Sequence, residues 1–123
     1  VVGGDTYGSW KGSNAGDKDL VAVKIASNGT FLWAWQAGST GEDRVRAVVA
    51  LDDDSSVIAG SLNGSWNGGP WWGLEDFVAV KLHSNGTTLW SWQEGTDAND
   101  YIKTAAVTTN GNIVLAGYTN GSW

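Results

Sequence analysis

The sequence contains no cysteine, no methionine, one proline and one histidine. Without cysteine there is no disulfide framework and no thiolate metal site. A lone His83 cannot form the histidine cluster that zinc requires, and no Gly-x-Ser-x-Gly nucleophile elbow occurs. Positive charge is scarce: 7 Lys and Arg stand against 13 Asp and Glu, a net charge of −6. Such a surface repels phosphate backbones and argues against a nucleic-acid partner. Long apolar runs are also missing. Ala47 to Leu51 is among the longest, far below the roughly 20 residues of a membrane helix. No basic segment followed by an apolar one opens the chain, so any export signal is expected outside it. The hydrophobic fraction of 41% is too high for a disordered polymer.

What the sequence has in excess is tryptophan, 9 residues in 123, and glycine, 18. The tryptophans expose an internal repeat. Gly-Ser-Trp ends at Trp10, Trp66 and Trp123, spacings of 56 and 57 residues. Val21-Ala-Val-Lys24 recurs as Val78-Ala-Val-Lys81, and Leu32-Trp-Ala-Trp-Gln36 as Leu89-Trp-Ser-Trp-Gln93. From Leu20 to Gly60 against Phe77 to Gly117, 17 of 41 positions are identical. The single length change falls in the loop containing Pro70-Trp71-Trp72.

Each unit reads as strands. In Phe77–Leu82, Val78, Val80 and Leu82 share one face while Phe77, Ala79 and Lys81 share the other. Ser84-Asn85-Gly86 signals a tight hairpin, expected to place both turn residues at positive φ. A Trp-bearing strand returns, with Trp90 and Trp92 on one face. Two further strands follow, Tyr101–Val107 and Ile113–Ala116, joined by the turn at Asn110-Gly111. Almost no helix is expected. Four antiparallel strands every 57 residues match the period of a β-propeller blade. The Ala-rich strand suits the crowded innermost position and the Trp-bearing strand the outer one. On that phase, residues 1–40 form a partial blade (second to fourth strands), 41–97 a complete blade, and 98–123 a partial blade (first and second strands). Two units cannot close a propeller, so the expected object is an open-ended window of a larger propeller or repeat array. The alternative is a short chain that stacks into rings or filaments.

The pattern Asp-Phe-Val-Ala-Val-Lys-Leu, Asn-Gly-Thr, Leu-Trp and Gly-Asn-Ile-Val-Leu-Ala-Gly-Tyr-Thr resembles the tandem SBBP repeats, named for a seven-bladed β-propeller. The Trp-Gln-x-Gly and Gly-Ser-Trp elements resemble a Trp-rich version in long repetitive proteins of algae and related protists. The resemblance covers the whole chain. It implies a fold and no catalytic motif; the Trp content and the sequons depart from the bacterial pattern.

Four sequons, at Asn28, Asn63, Asn85 and Asn120, are candidate N-glycan acceptors. Asn-Gly is also a turn dipeptide, a competing explanation strongest for Asn28 and Asn85. The repeated Trp10, Trp33, Trp35, Trp66, Trp90, Trp92 and Trp123 are assigned to packing between blades, with a sugar-stacking platform as the competing role of the pairs Trp33/Trp35 and Trp90/Trp92. Trp71 and Trp72 lie outside the repeat and are candidate subunit contacts. The acidic clusters lack the EF-hand order. Asp19, Asp76, Asp43 and Asp100 recur at strand starts, where carboxylates cap loop amides. Neither metal nor cofactor is expected, and no enzyme. The reading is a structural module of an extracellular or cell-surface glycoprotein that assembles with itself into a filament, appendage or matrix. The alternative is a carbohydrate-binding, lectin- or adhesin-like propeller. Expected partners are further copies or repeats and N-linked glycans, with no nucleic acid and no membrane span.

Overall fold

The structure, a computed structural model, describes residues 1–123. Nine strands and no helix make up the chain: β1 (Val2–Thr6), β2 (Asp19–Ile25), β3 (Phe31–Ala37), β4 (Arg44–Ala50), β5 (Ser56–Leu62), β6 (Asp76–Leu82), β7 (Thr88–Glu94), β8 (Asp100–Val107) and β9 (Ile113–Thr119). They form three antiparallel sheets, ordered β1-β2-β3, β4-β5-β6-β7 and β8-β9. The Ala-containing β4 and the Trp-bearing β7 lie at opposite edges of the middle sheet. With no helix present, none is long and apolar enough to cross a membrane.

Alternation along each strand decides which side is buried. Val78, Val80 and Leu82 are fully buried on one face of β6. They meet Leu20 and Ala22 of β2 and Ile58 and Leu62 of β5 in one apolar cluster, with Trp33, Trp35 and Trp66 packed against it. This cluster lies between the first sheet and the middle one. Each fully buried aliphatic there contributes about 1.5–3 kcal/mol. Pairing repeats in register: Ala22 stands opposite Trp35 across β2–β3, and Ala79 opposite Trp92 across β6–β7. Trp33 and Trp35 therefore point out of one face of the first sheet, Trp90 and Trp92 out of the same face of the middle sheet.

The hairpin turns differ from expectation. Positive φ falls on Gly86 (87°), Gly29 (87°) and Gly111 (82°), but not on the asparagines before them. The Gly86 N–H bonds the His83 carbonyl, and the His83 N–H the Thr87 carbonyl. This is a type I turn followed by a left-handed residue, and it produces the register shift at Lys81/Leu82. Asn85 can stay right-handed because its side chain accepts from the Thr87 N–H at 3.0 Å, fixing the turn without a second positive φ. Between β4 and β5, Asp54 occupies the left-handed position at φ 63°.

A second irregularity sits where β4 meets β5, between Val45 and Ala47, and again between Ile102 and Thr104 of β8. There Gly60 lies hard against the Arg44 carbonyl, and Gly117 against that of Tyr101, so neither site has room for a Cβ. The sheets stack through their first strands: β4 touches β1 on one side and β8 on the other. Isolated parallel bridges, Lys18 with Glu42 and Glu75 with Asn99, tie the connections together.

Candidate functional site

Two structures recur at the junctions between sheets. The first is a tryptophan clasp. At the junction of the first and middle sheets, the Trp33 indole N–H donates to the Ser84 carbonyl at 2.8 Å, and that of Trp35 donates to Thr88 Oγ1 at 3.1 Å. The Trp33 ring lies over Gly86, where an added Cβ would sit 2.8 Å from ring carbon Cδ2. Trp35 stacks on Trp66, centroids 6.3 Å apart. One sheet thereby grips the β6–β7 hairpin of the next. At the following junction the same residues grip nothing. Trp90 and Trp92 are 40% and 42% exposed. With Ala79, Ile113 and Leu115 they line an apolar cleft of about 460 Å³. A second cleft of about 480 Å³ continues past Phe77, Ile102 and Tyr118 to Trp123. Trp123 rests 5.8 Å from the Phe77 ring and stays 73% exposed.

The second structure is a knot of buried carboxylates. Asp19, Asp43, Asp76 and Asp100 are fully buried. Asp19 accepts from the Ala15 N–H at 3.0 Å and Asp76 from the Trp72 N–H at 3.1 Å. Asp43 accepts from the Ser39 N–H and Asp100 from the Thr96 N–H, both at 2.5 Å. Each carboxylate caps the loop preceding its own strand. Gln36 and Gln93 join these caps to the Gly-Ser-Trp loops. Gln36 donates to Asp19 Oδ2 at 2.9 Å and accepts from the Trp10 N–H at 2.8 Å. Gln93 donates to Asp76 Oδ2 at 2.8 Å and accepts from the Trp66 N–H at 2.9 Å.

The carboxylates come in pairs around a glycine. Asp76 Oδ1 and Asp100 Oδ2 lie 2.5 and 2.7 Å from where a Gly95 Cβ would be, and Gly38 sits likewise between Asp19 and Asp43. Burial pushes the Asp43 carboxyl up to about 6, against the pull of hydrogen bonds from Ser39 and Asn63 and with a further push from Asp19. Burial also raises Asp76, against hydrogen bonds from Trp72 and Gln93 and with help from neighbouring Asp100. Asp76 Oδ1 has no hydrogen-bond donor. None of these four acids is among the residues lining the two clefts. Their chemistry is that of pins holding loops.

The remaining sequence-selected residues lie apart from both features. Asn28, Asn63, Asn85 and Asn120 are all exposed. Asn28 and Asn85 use their side chains in the turn, accepting from Thr30 and Thr87. Asn63 and Asn120 engage through backbone N–H groups, to Asp43 and to the Asn99 carbonyl. Trp10, Trp71 and Trp72 are all exposed. His83 is exposed and accepts from the Asn85 N–H within its own turn. Gln36, Gln93, Gly38 and Gly95 belong to the repeated Trp-Gln-x-Gly element, to which the sequence pattern assigns no role. Their recurrence at the repeat spacing was the available signal. No family model matches the chain, and no curated protein matches it.

Proposed function

We propose that this chain is a structural repeat module, built of β-propeller-type blades, of an extracellular glycosylated protein that assembles into a filament, surface appendage or matrix. One observation carries the reading: the same tryptophan clasp occurs twice on the same face, once closed on a neighbouring hairpin and once open over an apolar cleft. A device that joins one unit to the next, and stands ready to join another, is what an assembling module needs. Exposure of all four sequon asparagines is compatible with glycans. The acidic surface keeps unassembled chains apart. A lectin pocket needs converging polar groups to orient a sugar. The cleft at Trp90 and Trp92 is lined by apolar residues alone, which favours a packed partner over a sugar.

Velocity sedimentation over a concentration series, with electron microscopy of the same samples, tests the reading. Assembly that grows with concentration and is lost in the Trp90→Ala/Trp92→Ala variant is expected. A monomer at every concentration overturns it. Intact mass of secreted protein before and after glycosidase treatment tests the glycans; an unchanged mass removes that part.

A further inference from the structure

We infer that two copies of this chain join head to tail by strand exchange: β9 of one copy replaces β1 beside β2 of the next, and Trp90 and Trp92 of the first copy close on the β2–β3 hairpin of the second. The inference rests on the assembly reading above and names its partner and geometry.

The chain carries both halves of one joint, at opposite ends. Trp90 and Trp92 are the open jaw. The matching hairpin turn is Gly29, the counterpart of Gly86, and nothing approaches within 4 Å of its missing Cβ. Gly29 and Gly86 share the same backbone turn, φ 87°. The hairpin in the closed clasp is thus duplicated by an unoccupied one. The fit is close but not identical. Phe31 stands where Thr88 receives the Trp35 indole, so Trp92 would meet an aromatic ring there.

The free backbone edges are complementary as well. β9 is paired on one side only, to β8. In the middle sheet the corresponding β5 pairs with β6, Val57 opposite Lys81 and Ile58 opposite Val80. Shifted by one repeat, that register sets Val114 opposite Lys24 and Leu115 opposite Val23. The strand now beside β2 holds its place weakly. β1 has five residues, two of them the adjacent Gly3 and Gly4, and its Val2 is 62% exposed. Interior glycines weaken a strand. β9 has seven residues, with Ala116 at the position of Gly3. Ala116 arriving there requires Val45 and Val48 to shift, since an added Cβ on Gly3 would lie 2.5 Å from a Val48 methyl and 2.9 Å from a Val45 methyl. Gln36 would pass from Trp10 to Trp123, holding it as Gln93 holds Trp66. The contact is heterologous, so it repeats from copy to copy and closes as a ring or continues as a filament.

The natural absence of cysteine makes cross-linking unambiguous. Mixing Val114→Cys protein with Lys24→Cys protein under mild oxidation is expected to give a heterodimer on a non-reducing gel, with neither variant alone giving one. A second pair, Val2→Cys/Val23→Cys, bridges β1 to β2 within one chain; oxidised, it is expected to sediment as a monomer and to regain assembly on reduction. Assembly without the cross-link, or assembly undiminished by the β1 lock, overturns strand exchange while leaving the assembly reading intact. Absence of assembly in the unmodified protein overturns both.

Discussion

Two junctions built from the same residues end in opposite states. Trp33 and Trp35 are half-buried and hydrogen-bonded against the β6–β7 hairpin, while Trp90 and Trp92 stand over an empty cleft. Strand pairing and side-chain direction are the same in both. The difference lies in the neighbour: a hairpin faces the first pair, and only the two-stranded β8–β9 sheet faces the second. An indole on a sheet face is therefore neither core nor surface by itself; the next layer decides.

The sharpest way to break the comparison is to truncate both pairs. Trp33→Ala/Trp35→Ala is expected to lower unfolding free energy by about 4 kcal/mol, since one buried Trp truncation costs about 3–5 and both rings here are half-buried. Trp90→Ala/Trp92→Ala should cost less in the monomer, about 2 kcal/mol, because both rings are 40% or more exposed there. Urea denaturation at low protein concentration measures both. Equal losses would mean that the two junctions do not differ in solution.

The carboxylate knot predicts a pH dependence. Burial holds the Asp43 carboxyl near 6 in the folded chain, above the ordinary value near 3.9 in the unfolded one. The folded state therefore binds that proton more tightly. Its contribution is complete below about pH 4 and disappears as pH rises through about 6, an effect of up to about 3 kcal/mol. Thermal unfolding from pH 4 to 7 should show this loss, and Asp43→Asn should flatten the profile relative to the unmodified chain.

Finer still is the pair of turn glycines. Gly29→Ala places a Cβ at positive φ in open space and should cost about 1 kcal/mol from backbone strain alone. Gly86→Ala carries the same strain and also displaces the Trp33 ring, so it should cost about 1 kcal/mol more. The excess reads the closed clasp directly. The smallest effect is expected at Asp54, which sits left-handed where Gly111 serves the next hairpin. Asp54→Gly should stabilise by about 0.5–1 kcal/mol, less whatever its exposed ion pair with Lys24 contributes.

Much of this arrangement was legible beforehand. The alternation of Val78, Val80 and Leu82 marks a buried face, and two tryptophans two residues apart must share one face. The hairpin at Ser84-Asn85-Gly86 was legible, but its turn type was not, because Asn-Gly fits both a two-residue turn and a three-residue turn with a bulge. The buried acids were harder. Asp19 and Asp76 read as caps of loop amides, which they are, but their burial was not legible because their partners, Gln36 and Gln93, lie 17 residues away across a strand pair. Local sequence gives no hint that a glutamine beside two tryptophans turns inward. Nor does periodicity say that Gly38 and Gly95 are there to spare two carboxylates a methyl group.

Stacking through adjacent sheets has a mechanical consequence. Both junctions are pinned by a carboxylate pair, only the first also by a closed clasp, and β4 mediates between the outer sheets. Tension applied along such a stack loads both junctions equally, so the weaker one yields first. Pulled by its ends, the chain should extend in discrete steps, with the clasped junction of the first and middle sheets as the stiffest element.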